Sequence, residues 1–167
     1  MEDLEICKEC GGICCKRMGC HYSPKDFKDL SFDGLKKEIE KGNISIDWWE
    51  GNPFNNDREI NRAMFLRIRN VNSPVLDPSW GGECSLLTET GCSLPYDERP
   101  YGGRSLIPVK GSKCTLVYSK LDCVKEWFEH DETLEKLFEH YEDEDCDVFE
   151  KLIKEIMEIE KNMRKEN

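Results

Sequence analysis

The chain lacks the segments that would direct it into or across a membrane. Its N-terminus has neither a basic start nor an apolar core, so no export signal is expected. No apolar run approaches the roughly 20 residues that span a bilayer. We therefore expect a protein of the reducing cytoplasm, where disulfides rarely persist. A secreted disulfide scaffold and a membrane protein are both disfavoured.

Positive charge is also scarce. The chain has 24 Lys and Arg against 35 Asp and Glu, which gives a formal net charge of -11. Residues 1–125 hold 19 acids and 18 bases, whereas residues 126–167 hold 16 acids and 6 bases. The acidity thus belongs to the C-terminal segment, and no basic stripe with interleaved aromatics offsets it. This charge distribution repels phosphate backbones and argues against nucleic-acid binding.

Cysteine, in contrast, is abundant. The chain has 10 cysteines, and half of them fall in the N-terminal run C-x2-C-G-G-x-C-C-x4-C. In a reducing compartment, C-x2-C pairs are more often metal ligands or redox motifs than disulfides. The sequence therefore predicts a thiolate metal site.

The adjacent pair Cys14-Cys15 predicts more than one metal position. The spacing of Cys7 and Cys10 lets both sulfurs reach one ion from a tight turn. Adjacent side chains diverge, however, so one tetrahedral ion would rarely take both Cys14 and Cys15. We expect two metal positions, or one cluster and one structural ion, on either side of this step.

The rest of the chain predicts an α+β fold in one domain. Apolar–polar alternation predicts strands at 44–48 and 64–68 and a hairpin at 84–94. Caps and 3.6-residue periodicity predict a helix start at Ser23-Pro24 and helices at about 33–41, 119–141 and 145–164. The last two would form an antiparallel pair joined by residues 142–145. The expected architecture is a small, irregular, cysteine-rich metal core over 1–118, followed by an acidic helical pair over 119–167 that packs on it.

The hairpin is expected to supply further ligands. Cys84 and Cys92 would flank its turn and lie near each other, about 70 residues after the first cysteines. Metal binding would then constrain folding as well. Cys123 and Cys146 fall in or beside helical patterns and are predicted to be buried apolar residues instead of ligands.

Together these motifs resemble the YkgJ-type "CxxCxxCC" family. The matching residues are Cys7-x2-Cys10-x3-Cys14-Cys15, Gly82-x-Cys84-x-Leu86-Leu87, Gly91-Cys92-x-Leu94-x-Tyr96 and Arg99-Pro100. That family is described as a zinc- or iron-chelating domain whose biochemical role is mostly unassigned. The resemblance covers roughly residues 7–108 and implies metal binding.

One position departs from the family pattern. Where the family reads R-P-x-x-C-R-x-x-P, this chain has Gly103 in the place of the cysteine. The resemblance thus implies a missing ligand, for which Cys114 or Cys20 would substitute, or the loss of one site. The complete set of predicted ligands is Cys7, Cys10, Cys14, Cys15, Cys20, Cys84, Cys92 and Cys114.

Basic residues near the last motif are candidates for neutralising the charge of the thiolates. They are Arg99, Arg104 and Lys113. Arg99 could equally pair with the neighbouring Asp97 or Glu98.

The pattern favours zinc slightly over iron. Structural zinc takes four thiolates, typically with C-x2-C pairs. A [4Fe–4S] cluster also takes four cysteines, but the ferredoxin run C-x2-C-x2-C-x3-C-P is absent. The C-x3-C-x2-C run of radical enzymes is absent as well, and no glycine-rich loop for S-adenosylmethionine is present.

Three functions stay open on the sequence alone. The first is a metal-binding protein of unassigned role. The second is an enzyme whose iron–sulfur cluster performs redox or transfer chemistry. The third is an adaptor whose acidic helices bind a basic protein partner, with the metal only holding its fold together.

Overall fold

A two-stranded antiparallel sheet is the centre of the fold. The computed structural model describes residues 6, 9–13, 15–16, 19–55, 62–68, 74–75, 83–89, 91–109 and 114–142. Strand β1 (Ile44–Glu50) pairs with β2 (Arg62–Ile68), with Ile44 opposite Ile68. Both strands were predicted from apolar–polar alternation, and each extends beyond the predicted residues. The last six residues of β2 are all buried, so both faces of this strand are covered.

Two of the described helices begin at serine caps. Helix α1 (Phe32–Ile39) follows Ser31, whose hydroxyl accepts the Gly34 N–H at 3.2 Å. A single helical turn, α2, spans Tyr101–Arg104. Helix α3 (Lys120–Trp127) starts at a capping box formed by Ser119 and Asp122. The predicted start at Ser23-Pro24 is a short 3-10 turn, Pro24–Asp26, instead of a longer helix.

The helix predicted over 119–141 is interrupted, which corrects that prediction. A 3-10 turn, Phe128–His130, separates α3 from α4, which comprises residues 131–142. Asp131 follows this turn, and its carboxylate accepts the Met64 N–H of β2 at 2.6 Å. The break thus accompanies a bond between the helical segment and the sheet.

Two small hairpins complete the described elements. Strand β3 (Leu87–Thr88) pairs with β4 (Gly91–Cys92), and β5 (Leu106–Ile107) pairs with β6 (Thr115–Leu116). The first is the hairpin predicted at 84–94. Its strands are shorter than predicted, and Cys84 precedes β3.

The hydrophobic core lies between the β1–β2 sheet and the helices. Its fully buried side chains include Leu35, Ile39, Ile46, Met64, Leu66, Val124, Trp127, Leu134 and Leu137. The α+β class is therefore confirmed. The predicted second helix of the pair, at 145–164, and Cys146 lie outside the described residues. Among the residues that are described, no helix combines the length and apolar character needed to cross a membrane.

Candidate metal centre

Two predicted ligands from distant parts of the chain are in contact. The Cys84 N–H donates to the Cys15 carbonyl at 2.7 Å. Their side chains also hydrogen-bond, and this bond lowers the pKa of the Cys84 thiol. Cys84 is buried and Cys15 is half-buried. The N-terminal cysteine segment and the β3–β4 hairpin therefore meet at these two residues.

Two more thiols lie close enough to interact electrostatically with this pair. The pKa of the Cys20 thiol is raised to about 12. Burial is the largest cause, and the electrostatic effects of Cys15 and Cys92 add to it. Cys92 lies in β4 opposite Leu87, whose N–H donates to the Cys84 carbonyl at 3.0 Å. One hairpin thus carries two of the thiols. We call Cys15, Cys20, Cys84 and Cys92 the cysteine cluster.

Backbone pairing with the central sheet positions Cys20. The Cys20 carbonyl accepts the Ile68 N–H at 2.9 Å, and the Tyr22 N–H donates to the Leu66 carbonyl at 2.9 Å. Residues 20–22 therefore run antiparallel to β2, with His21 opposite Arg67. The segment that carries Cys20 is thus held against β2 by backbone hydrogen bonds.

Helix α2 packs its glycines against the same segment. The Gly102 N–H donates to the His21 carbonyl at 3.1 Å, and a Cβ at Gly102 would lie 2.7 Å from that oxygen. A Cβ at Gly103 would lie 3.2 Å from the Cys20 Sγ. The thiol of Cys20 is therefore next to the position where the family resemblance implied a cysteine. Cys114 is half-buried and lies immediately before β6.

The other predicted ligands are Cys7, Cys10 and Cys14. Cys10 is half-buried, whereas Cys7 and Cys14 lie outside the described residues. Over the described ranges, no group of three or more His, Cys, Asp or Glu side chains is close enough to hold a metal ion. The described part of the chain thus contributes a contacting thiol pair and two nearby thiols, but no complete coordination shell.

The basic residues singled out in the sequence have other interactions. Arg104 forms an ion pair with Asp26 at 2.7 Å. The Arg99 Nε donates to the Leu94 carbonyl at 3.2 Å. Lys113 lies outside the described residues.

The sequence reasoning did not consider Arg67, which is the buried arginine of this region. It is 2% exposed, interacts electrostatically with Cys84, and forms an ion pair with Asp47 at 3.3 Å. The sequence offered one signal for this ion pair, which is a charged residue within the apolar pattern of each strand: Arg67 in β2 and Asp47 in β1.

Cys123 belongs to the core, as predicted. It is fully buried in α3, and its Sγ donates to the Tyr22 carbonyl at 3.3 Å. The Trp127 Nε1 donates to the same oxygen at 2.7 Å. Burial raises the pKa of the Cys123 thiol, so this cysteine is kept neutral.

Comparisons of the chain with profiles of known protein families, with curated proteins and with solved structures gave no match. The resemblance to the YkgJ-type family therefore stays a prediction that rests on the motifs quoted above.

Proposed function

We propose that this chain is a thiolate metal-binding protein whose cysteine cluster binds zinc, with iron as the alternative. The observation that carries the proposal is the contact between Cys15 and Cys84, which are distant in sequence and bonded through both backbone and side chains. Thiolates are soft ligands that select zinc and iron–sulfur clusters. A site assembled from two such segments would also stabilise the fold that assembles it.

In this proposal, Cys15, Cys20, Cys84 and Cys92 supply the four thiolates of one tetrahedral site. Cys20 replaces the thiol that position 103 lacks, because its sulfur is next to that position. Since the described side chains are not gathered around one point, binding would rotate them inward and release their thiol protons. A bound cation also reverses the effect of burial, because a coordinating thiol is deprotonated.

The other predicted ligands would serve a second metal position. They are Cys7, Cys10 and Cys14, with Cys114 as a further candidate. Each residue of the Cys14-Cys15 pair would then bind a different ion. When bound, zinc would cross-link the N-terminal segment to the β3–β4 hairpin, whereas an iron–sulfur cluster would add redox chemistry.

Metal analysis of protein purified without oxygen and without a metal-binding tag tests this proposal. We expect zinc in stoichiometric amount, and zinc plus iron below about half an equivalent would contradict metal binding. Cys15→Ser and Cys84→Ser should each remove about one equivalent. Cys14→Ser should remove a separate equivalent and leave the first site occupied. Cys123→Ser is the matched control and should retain all metal, because Cys123 lies in the core.

Absorbance distinguishes the two metals. A brown protein with a band near ~400 nm that bleaches with dithionite would support an iron–sulfur cluster. A colourless protein that holds zinc would exclude the cluster.

A further inference from the structure

One face of the β1–β2 sheet carries buried polar side chains. Directly opposite residues of an antiparallel pair project to the same face, so the register places Asp47 with Phe65, and Ser45 with Arg67, on one side. His21 joins them, because it lies opposite Arg67 on the segment that pairs with β2. None of these polar residues is more than 4% exposed. We call this side of the sheet the polar face.

Three nitrogen atoms on the polar face are buried without a hydrogen-bond partner. They are the Nε2 of His21 and the Nε and Nη2 of Arg67. The Asp47 Oδ2 lies 3.3 Å from the Arg67 Nε, but this ion pair includes no hydrogen bond to Nε or Nη2. Buried polar groups in native proteins nearly always have partners, so the three atoms point to a further group that bonds them.

The unpartnered atoms of Arg67 form a donor edge that suits an oxyanion. Nε and Nη2 lie side by side on the guanidinium group, and their parallel N–H groups match two oxygens of a carboxylate or a phosphate. His21 lies opposite Arg67 in a non-hydrogen-bonded pair, the kind in which side chains approach most closely. In the tautomer that carries its hydrogen on Nε2, His21 would donate to the same anion.

Lys120, the first residue of α3, adds a second cation at the margin of the polar face. Its Nζ lies 4.9 Å from the centre of the Phe65 ring and 5.9 Å from the centre of the Trp49 ring. The His21 ring contacts the same Phe65 ring edge-on, with 5.5 Å between the ring centres. Trp49 and Lys120 are half-buried, so the polar face approaches the surface on this side.

The positive charge of the polar face exceeds its negative charge. Arg67 and Lys120 each contribute a cation, whereas Asp47 is the only fully buried carboxylate among the described residues. Burying a charge without compensation is unfavourable, and a bound anion would balance it.

We propose that the polar face of the β1–β2 sheet binds one small oxyanion, a carboxylate or a phosphate group. Arg67 binds it through two parallel hydrogen bonds, His21 donates a third, and Lys120 supplies a cation at the margin. The site is separate from the proposed metal centre and does not depend on it.

Thermal unfolding at constant ionic strength tests for this site. A ligand that binds only the folded state raises the unfolding temperature as its concentration increases. Sodium phosphate and sodium acetate are titrated separately into the protein at fixed pH, and sodium chloride keeps the ionic strength constant. We expect a rise with phosphate or acetate, and the anion that gives the steeper rise identifies the preferred group. Equal unfolding temperatures in all three salts would overturn the proposal, because the unpartnered atoms would then bind water only.

Substitutions locate the anion. Arg67→Met should abolish the rise, and Arg67→Lys should weaken binding by about 10-fold, because it keeps the charge but loses a hydrogen bond to a charged ligand. Lys120→Met should weaken binding by a smaller factor. Arg62→Met is the matched control and should keep the full rise, since Arg62 lies in the same strand but on the other face, over the Phe138 ring.

An unchanged rise in Arg67→Met would place the anion elsewhere and overturn the proposal. If Arg67→Met does not fold, Arg67→Lys and Lys120→Met decide. An unchanged concentration dependence in both of these variants would equally overturn it.

Discussion

At the scale of the residue, Gly103 is linked to Cys20 through space. A Cβ at position 103 would lie 3.2 Å from the Cys20 Sγ and 3.4 Å from the Arg99 Cβ. The first distance is tighter than ordinary van der Waals contact, so a side chain at 103 would require the Cys20 thiol to shift by a few tenths of an ångström. Glycine at 103 leaves this thiol in its present position.

We predict that Gly103→Ala weakens zinc binding while the fold is retained. The added methyl group displaces the Cys20 sulfur by a few tenths of an ångström, and a small displacement of a metal ligand or its support lowers affinity by about 10-fold. Chelator competition measures the loss of affinity, and far-UV circular dichroism checks the fold.

The double variant Cys20→Ser/Gly103→Cys is the complementary measurement. It delivers a thiol from the neighbouring position and should bind more zinc than Cys20→Ser alone. Full zinc content in Cys20→Ser, or unchanged affinity in Gly103→Ala, would show that Cys20 is not a ligand.

At the scale of the element, the N-terminal cysteine segment packs on the β3–β4 hairpin through Gly12. Gly12 has φ of 70°, and a Cβ there would lie 2.6 Å from the Leu87 Cδ1. The neighbouring Gly11 has φ of 65°, but the nearest atom to its Cβ position is the Lys16 Nζ at 3.7 Å. The two glycines therefore have similar backbones but different surroundings.

We predict that Gly12→Ala is more destabilising than Gly11→Ala. Both changes add the strain of a left-handed conformation, roughly 1–2 kcal/mol. Only the alanine at 12 also forces Leu87 to rotate away, which adds about 1 kcal/mol of overpacking. Thermal unfolding and zinc retention of the two variants, compared side by side, measure the difference.

The additional destabilisation caused by Gly12→Ala should disappear when Leu87 is replaced by a shorter side chain. In a double-mutant cycle, Gly12→Ala/Leu87→Ala should therefore be less destabilised than the sum of its single changes. Equal losses of stability in Gly11→Ala and Gly12→Ala would show that the close approach of position 12 to Leu87 contributes nothing.

At the scale of the whole molecule, local signals predicted most of the larger elements. Alternation identified β1 and β2, apolar periodicity identified the helical segment that contains α3, and the β3–β4 hairpin followed from short strands around a glycine. These signals lie within a few residues of the structure they specify. The class of the fold and the burial of Cys123 could therefore be predicted from the sequence.

What the sequence did not predict depends on long-range contacts. The break between α3 and α4 accompanies a bond from Met64 to Asp131, 67 residues away. The burial of Arg67 depends on the elements that cover β2, because alternation predicts only one buried face per strand. The proximity of the Cys20 thiol to Gly103 likewise depends on the packing of α2 on the segment that follows Cys20.

The hydrophobic core and the cysteine cluster are separate parts of the fold. The core joins β1 and β2 to α1, α3 and α4, and it contains Cys123 but none of the cluster cysteines. Outside the core, the hairpin is joined to the N-terminal segment by the bond from Cys84 to Cys15. Apolar burial would therefore maintain the core without metal, whereas the cluster would depend on metal binding.

We therefore predict that removal of zinc loosens the cluster and leaves the core folded. After treatment with a chelator under reducing conditions, hydrogen exchange measured by mass spectrometry should accelerate in peptides that contain Cys15, Cys84 and Ser93. Peptides from β1, β2 and α3 should keep their protection, because their amides lie in the apolar core. The Cys15→Ser variant is the control, since it should show the accelerated pattern before any chelator is added. Loss of protection throughout β1 and β2 would mean that the core itself needs the metal. Unchanged exchange around Cys84 would mean that no metal joins the hairpin to the N-terminal segment.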